Sequence, residues 1–518
     1  MQNIQRSKDI LLGFYIAGIV IGGGILALPF VARDLGLPLL IILLVLFGWL
    51  FHKIYLRIVD SIGISLKGVA KVSPGLLLYD HAMEYSNLGK NSRRAFSIGL
   101  LLYVVPADIV YVLYGMKSIL ALSILLSKTV DNFFIVLGSL LCLTILIVSY
   151  HAFYRRKILL SLHKIFMFKF ALMVAVWIVG LGIVGITNSP TLSIVLAGLF
   201  FFISLIIAEF FPEKVFRIPL DIYDLSDLLP RHKVSSYLTI IKISLVLLIP
   251  FIGFILIHRM AGYVGSIPIY PINLTSLIYS ITIIIFMYVG SGIYNILVYK
   301  WVANNLSRGR RAILIATMLS ILTYVTFTVL IISAVSSSIL ISSDINREHA
   351  FISLSRQLTC IGLTLMGYIT IVAANIFALI SVSVAYTGFT DTLSERINLD
   401  TKMDFDLAWL ITTIAITTIT ILLEIYNVER FATDALGIAG NAGGGIFILI
   451  LPWLLRNEKG VKRIRIAMLF LAIITVLNIF LMVDSSTTIA KIIAIIATML
   501  VLVVSLLAIL EAKKEYKV

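Results

Sequence analysis

Charge is what this chain has least of. Only 13% of its 518 residues are Asp, Glu, Lys or Arg, and 60% are hydrophobic, whereas soluble domains carry about 25% charged residues. With a mean hydropathy of +1.08, that shortage excludes a soluble globule. Cysteine is nearly absent. Cys142 and Cys360 both fall inside apolar runs, so they specify neither a disulfide framework nor a metal site. The seven histidines are scattered without HExxH spacing, and no metal or cofactor is expected. No Gly-Lys-Ser/Thr follows the run Gly440-Asn441-Ala442-Gly443-Gly444-Gly445, which excludes a phosphate loop and leaves close helix packing.

Long apolar runs are abundant. Stretches of the ~18 or more residues that span ~30 Å of hydrocarbon as a helix recur throughout. The first, Leu11 to Ala32, follows Arg6 and Lys8 but is too long for a signal-peptide core and lacks a clear cleavage site, so it reads as a retained helix. The runs predict an all-α polytopic membrane protein of about fourteen helices. They lie near 10–32, 38–58, 96–126, 131–151, 165–187, 191–212, 236–258, 273–302, 310–340, 353–388, 405–425, 433–455, 463–483 and 488–510.

Lys and Arg favour cytoplasmic ends. With the N-terminus inside, every inner segment is basic, among them Arg155-Arg156-Lys157, Arg308, Arg310, Arg311, and Arg456 through Arg465. The outer connections hold little beyond Arg33, Lys128, Arg259, Arg347 and Arg430. Both termini are therefore expected in the cytoplasm, in the cell membrane. The same distribution accounts for the net charge of +15. Short basic loops meet lipid headgroups, and no nucleic acid is expected as a partner.

The first run contains "IVIGGGILALPF", whose Gly22-Gly23-Gly24 and Pro29 are poor helix formers. A packing seam explains Gly18-x-x-x-Gly22, but consecutive residues point about 100° apart, so three adjacent glycines cannot share one face. A second run, "FMYVGSGIYNILVYK", is interrupted by Gly290-Ser291-Gly292. Paired glycine breaks in corresponding halves point to a transporter of inverted repeats. Residues 10–187 form the expected first five-helix repeat and 272–456 the second, inverted one. Residues 188–260 form an inserted pair with a cytoplasmic loop, and 461–511 a C-terminal pair. The third member of each repeat, 96–126 and 353–388, is unusually long.

Such breaks suit a zwitterion. Within Ile21-Gly22-Gly23-Gly24-Ile25, the N–H groups of Gly23, Gly24 and Ile25 open a half-helix and would attract a carboxylate. The carbonyls of Tyr288 and Val289, before Gly290-Ser291-Gly292, would attract an ammonium. Asp108 in "VVPADIVYVLYG" is an intramembrane carboxylate sharing a helix face with Tyr111. Tyr111 would line the pocket; Asp108 would hold an ammonium or a proton, or simply bond another helix.

"GGGILALPFVARDLGL" resembles the first helix of the amino acid/polyamine/organocation (APC) superfamily, especially its amino-acid permeases. "ALGIAGNAGGGIFILILPWLL" is similar to their tenth core helix, and "YNILVYKWVANNLSRGRRAILIATMLSILTYV" to their sixth-to-seventh junction. The resemblance implies a LeuT-type 5+5 inverted repeat and a symporter of amino acids, coupled to a proton or sodium ion. Proton-driven relatives set a lysine of the fifth helix against the first, a part open to Lys169, which otherwise snorkels to the inner surface. Sodium-coupled relatives use hydroxyls of the tenth span, which would implicate Asn375, Ser381 and Ser383; such groups also serve as helix glue.

Three other readings stand beside amino-acid transport. A transporter-like sensor would bind without translocating, and a carrier could take another small organic cation or zwitterion. A membrane-embedded enzyme would need clustered intramembrane groups, and Asp108 stands nearly alone. Orientation can be tested directly: cysteine labelling should reach positions near Asn457 only from the cytoplasm and those near Asp344 only from outside.

Overall fold

The computed structural model describes residues 10, 12–14, 16–18, 20–65, 100–101, 103–117, 228–262, 276–278, 280–289, 306–346, 348–381, 386–425, 435–440 and 499. Every element among them is helical. In chain order they are α1 (Leu12–Gly18), α2 (Gly23–Leu35), α3 (Leu37–Ser65), α4 (100–117), α5 (Leu228–Ala261), α6 (Ser276–Val289) and α7 (Leu306–Ala334). Then follow α8 (Ser337–Ile345), α9 (Ala350–Cys360), α10 (Thr364–Ser381), α11 (Thr387–Thr401), α12 (Phe405–Ile425) and α13 (435–440).

Three of these helices contain stretches long and apolar enough to cross a membrane: Leu37–Leu56, Thr239–Ala261 and Gly309–Ala334. The pair α1–α2, bent by 53°, makes a fourth if counted as one span. Their outward faces fit lipid. Ile42, Val45, Leu46 and Trp49 stand exposed along α3, and Leu407, Leu410, Ile411 and Ile414 along α12. Contiguous apolar surface of this kind is rare on soluble proteins. The polar residues of α12 turn inward on themselves, with Thr412, Thr417 and Thr420 each donating to the carbonyl four residues back. This is a membrane-embedded helical protein.

Around the bent pair, α7 packs against α2, α3 and α5, while α10 packs against α5 and α9. Helix α5 belongs to the segment expected as an insert, yet it lies directly against the first helix. At one end the short helices α8 and α9 form a hairpin on α2.

The helix expected over 353–388 is not continuous. It stops at Cys360, and Gly362 at φ 85 turns the chain before α10. The N–H of Gly362 bonds Thr359 O at 3.0 Å and that of Leu363 bonds Leu358 O at 2.9 Å, the two bonds of a Schellman stop. Hydropathy cannot see this stop because "CIGLTL" stays apolar across it. Gly36, also at positive φ (92), ends α2 and leads into α3.

Helix α13 meets α6 closely: a Cβ on Gly440 would lie 1.9 Å from the Thr282 carbonyl oxygen. Backbone cannot step aside as a side chain can. Gly440→Ala should therefore cost about 1–3 kcal/mol, read as a lowered melting temperature of the purified protein.

Candidate functional site

The first run does come apart. Beyond α1, Ile21 N–H still reaches Ala17 O at 2.7 Å, but Gly22 N–H turns back to Val20 O at 2.8 Å. The chain resumes at Gly23 as a single 3₁₀ stretch, Gly23–Ala27, before becoming α-helical with Pro29 in its first turn, where a missing N–H costs least. Ile21, Gly22, Gly23, Gly24 and Ile25 are all buried. No water reaches the groups the break releases, so the protein itself must bond them.

It does so with side chains from other helices. The buried Lys242 of α5 gives its ammonium to Gly18 O at 2.8 Å. Tyr324 of α7, also fully buried, donates to Val20 O at 2.8 Å and lies 3.4 Å from Met287 O. One hydroxyl thus bridges the break to the end of α6. The Tyr288 carbonyl accepts the hydroxyl of Tyr55, and the Tyr288 hydroxyl donates to Leu44 O at 2.9 Å. Val289 is buried; Gly290, Ser291 and Gly292 lie outside the described residues.

The glycines divide into two kinds. A Cβ on Gly18 would sit 1.8 Å from Thr239 Oγ1, and one on Gly22 would sit 1.8 Å from the Tyr111 hydroxyl. These two are filled from outside by a neighbour and act as packing glycines. At Gly23 the nearest atoms are the Tyr111 and Tyr114 rings at 3.3–3.4 Å; at Gly24 they are Met287 and Phe286 at 3.0–3.4 Å. A side chain there would be snug, so close packing alone does not require both.

Tyr111 of α4 lies beside the break, against Gly22 and Gly23. Its hydroxyl oxygen accepts the Gly23 N–H, and its ring lies 6.0 Å from that of Phe389. Tyr103 joins the same group, 5.9 Å from Phe286 and 5.4 Å from Phe389. Asp108, fully buried on the same helix, accepts a hydrogen bond from Thr390 Oγ1 of α11 at 2.9 Å. The break is therefore walled by aromatic rings, with one carboxylate tying two of the walls.

The expected ion-coupling residues are divided. Asn375 is buried and bonds Ile371 O of its own helix at 2.9 Å. Ser381 is buried, with no hydrogen-bond partner for its hydroxyl among the described residues. Lys169 and Ser383 lie outside the described residues. Lys242, Tyr324 and Tyr55 escape the sequence reading. The signal for Lys242 was a lone lysine inside the apolar run 236–258, hidden by treating that run as an appendage. Its ammonium also lies 5.7 Å from the Phe377 ring, and among the described residues no carboxylate pairs with it. No group of three or more metal-ligating side chains occurs among the described residues.

The fold and site define a membrane-embedded helical protein whose first span is broken and internally capped. No protein-family model matches the chain, and no curated protein matches it. The likeness to amino-acid permeases therefore rests on the quoted motifs.

A double-mutant cycle tests the Gly22 packing. Gly22→Ala should lower the melting temperature, equivalent to about 1–3 kcal/mol. In a Tyr111→Phe background, which removes the nearest oxygen, part of that loss should be recovered.

Proposed function

We propose that the protein is a secondary transporter that moves amino acids across the cell membrane by alternating access, driven by a coupled proton. The observation that carries this reading is the meeting of the broken first helix with the end of α6 over one hydroxyl. Tyr324 lies within reach of Val20 O and Met287 O. Backbone ends that converge in a membrane interior are the usual material of a zwitterion site. The carboxylate of the substrate binds at the N–H groups of Gly23, Gly24 and Ile25, taking the place of the Tyr111 hydroxyl at Gly23. Its ammonium takes the carbonyl pole offered by Val20 and the Met287–Val289 stretch. Asp108 and the rings of Tyr103, Tyr111, Phe286 and Phe389 shape the side-chain pocket.

Beside Lys169, which lies outside the described residues, Lys242 is a second candidate for coupling. Lys242, on the expected insert, is hydrogen-bonded to Gly18 O of the first helix with no carboxylate partner among the described residues. A lone buried ammonium is costly to keep charged. Proton loss frees the Gly18 carbonyl and loosens α1 from α5, which links the proton to the shape of the break. The two cytoplasmic termini and the 5+5 repeat complete this reading.

Calorimetry on purified protein and uptake into vesicles test it together. At least one of the twenty amino acids should bind the wild type and should bind folded Gly23→Val at least about tenfold more weakly. Uptake should follow a proton gradient, ignore replacement of sodium by choline, and lose its proton dependence in Lys242→Met. Sodium-dependent uptake would move coupling to Ser381 and Ser383. If the wild type binds no amino acid, the proposal fails.

A further inference from the structure

Four of the rings beside the break form a closed circuit. Tyr111 of α4 sets its ring against Gly23, 3.3 Å from where a Cβ would stand, and Phe286 of α6 comes within 3.3 Å of the same point on Gly24. Phe389 of α11 lies next to Tyr111 with ring centroids 6.0 Å apart, and Tyr103 of α4 lies next to Phe389 at 5.4 Å. Tyr103 then meets Phe286 at 5.9 Å, which leads from Gly23 back to Gly24. All four side chains are buried. Rings at these spacings are in contact, so no further ring fits between neighbours.

The circuit is held from behind. Phe286 is backed by α13, where a Cβ on Gly440 would lie 3.2 Å from the Phe286 Cβ. Phe389 precedes Thr390, whose hydroxyl bonds Asp108 at 2.9 Å and pins α11 to α4. A close-packed interior of this kind feels the addition of even one methylene. A substrate held as proposed above has its carboxylate at the N–H groups of Gly23 to Ile25 and its ammonium at the carbonyls of Val20 and Met287–Val289. Its side chain is left to face the rings. We propose that the aromatic circuit is a size filter, closed by Phe389, that restricts the site to amino acids with small side chains: glycine, alanine and serine.

The filter rests on the transport reading and names its substrate class. Phe389 sets the limit because the other three rings have further work. Tyr111 and Phe286 face the glycines of the break, and Tyr103 and Tyr111 carry hydroxyls. The Phe389 ring has no polar atom and spans the gap between Tyr103 and Tyr111. It can be cut back without touching the backbone that holds the carboxylate. A hydrophobic pocket that cannot widen discriminates by about 10–200-fold for each methylene in excess. Removing the ring gives that space back.

Calorimetry on the purified full-length protein tests this with glycine, alanine, serine, leucine, methionine and phenylalanine as ligands. The wild type should bind alanine at least about tenfold more tightly than leucine or phenylalanine. Phe389→Ala should bind leucine or methionine at least about tenfold more tightly than the wild type does. Phe389→Leu removes less volume, should shift the order the same way by a smaller factor, and covers the case in which the Ala variant does not fold. Phe327→Leu changes a buried ring of α7 outside the circuit and should keep the wild-type order; a shift there as large as in the Phe389 variants overturns the filter. A wild type that binds leucine or phenylalanine as tightly as alanine, or an unchanged order in both Phe389 variants, also overturns it and leaves the transport proposal standing. If only the Phe389 variants bind an amino acid, the filter stands and the transport proposal falls for the wild type. If neither the wild type nor the variants bind one, both fall.

Discussion

A backbone group opened inside a membrane has no water to turn to, and much of this structure answers that one constraint. The chain breaks its first helix at Val20–Gly22; the Gly18 carbonyl loses its helical partner, and that of Val20 keeps only the tight bond from Gly22 N–H. Each finds a donor on a different helix: Lys242 from α5 and Tyr324 from α7. Because an unpaired buried carbonyl costs about 1–3 kcal/mol, these contacts fix which helices can stand beside the break. The packing of α7 against α2 and of both α7 and α10 against α5 follows the same geometry. A broken span is thus stable only inside a bundle that supplies its caps.

The caps also make the break responsive. A tyrosine hydroxyl has one hydrogen, and Tyr324 has carbonyls from two distant chain segments within reach. A lysine ammonium has three hydrogens, and its one hydrogen bond among the described residues goes to Gly18. Neither arrangement is rigid in the way a complete helical ladder is. Packing glycines limit the freedom on the other side: Gly18 and Gly22 admit Thr239 and Tyr111 so closely that the backbone there cannot carry a side chain. Movement is left to the stretch from Gly23 onward, where the walls are rings and a thioether rather than backbone.

Two parts of the molecule far apart in sequence share one end of the bundle. Arg33, at the end of α2, and Asp344, in α8, are 3.1 Å apart. Both were expected on the outer side from the distribution of basic residues alone, and the structure sets them at the same end. The hairpin that carries Asp344 is built from helices too short to span anything, Ser337–Ile345 and Ala350–Cys360. It sits on the bundle through the Arg33–Asp344 ion pair and through α9, whose buried Phe351, Leu354 and Leu358 join the core against α10, α5 and α7.

Composition and periodicity by themselves determined that the chain is helical and membrane-embedded, that its first span breaks at the glycines, and that Asp108 and Tyr111 share one face of a helix. These are local or additive properties: hydropathy sums along the chain, glycine acts on its own backbone, and a three-residue spacing holds on any helix. The helix over 405–425 was legible for the same reason. The stop at Gly362 was not, because an apolar run stays apolar across a turn and only the backbone bonds of Gly362 and Leu363 reveal it. Lys242, Tyr324 and Tyr55 were invisible as caps. Each acts on a carbonyl more than two hundred residues away, and nothing in local sequence says which helix will stand against which. Only the tertiary structure decided that, because the donors a buried carbonyl finds depend on where the packing of whole helices puts them.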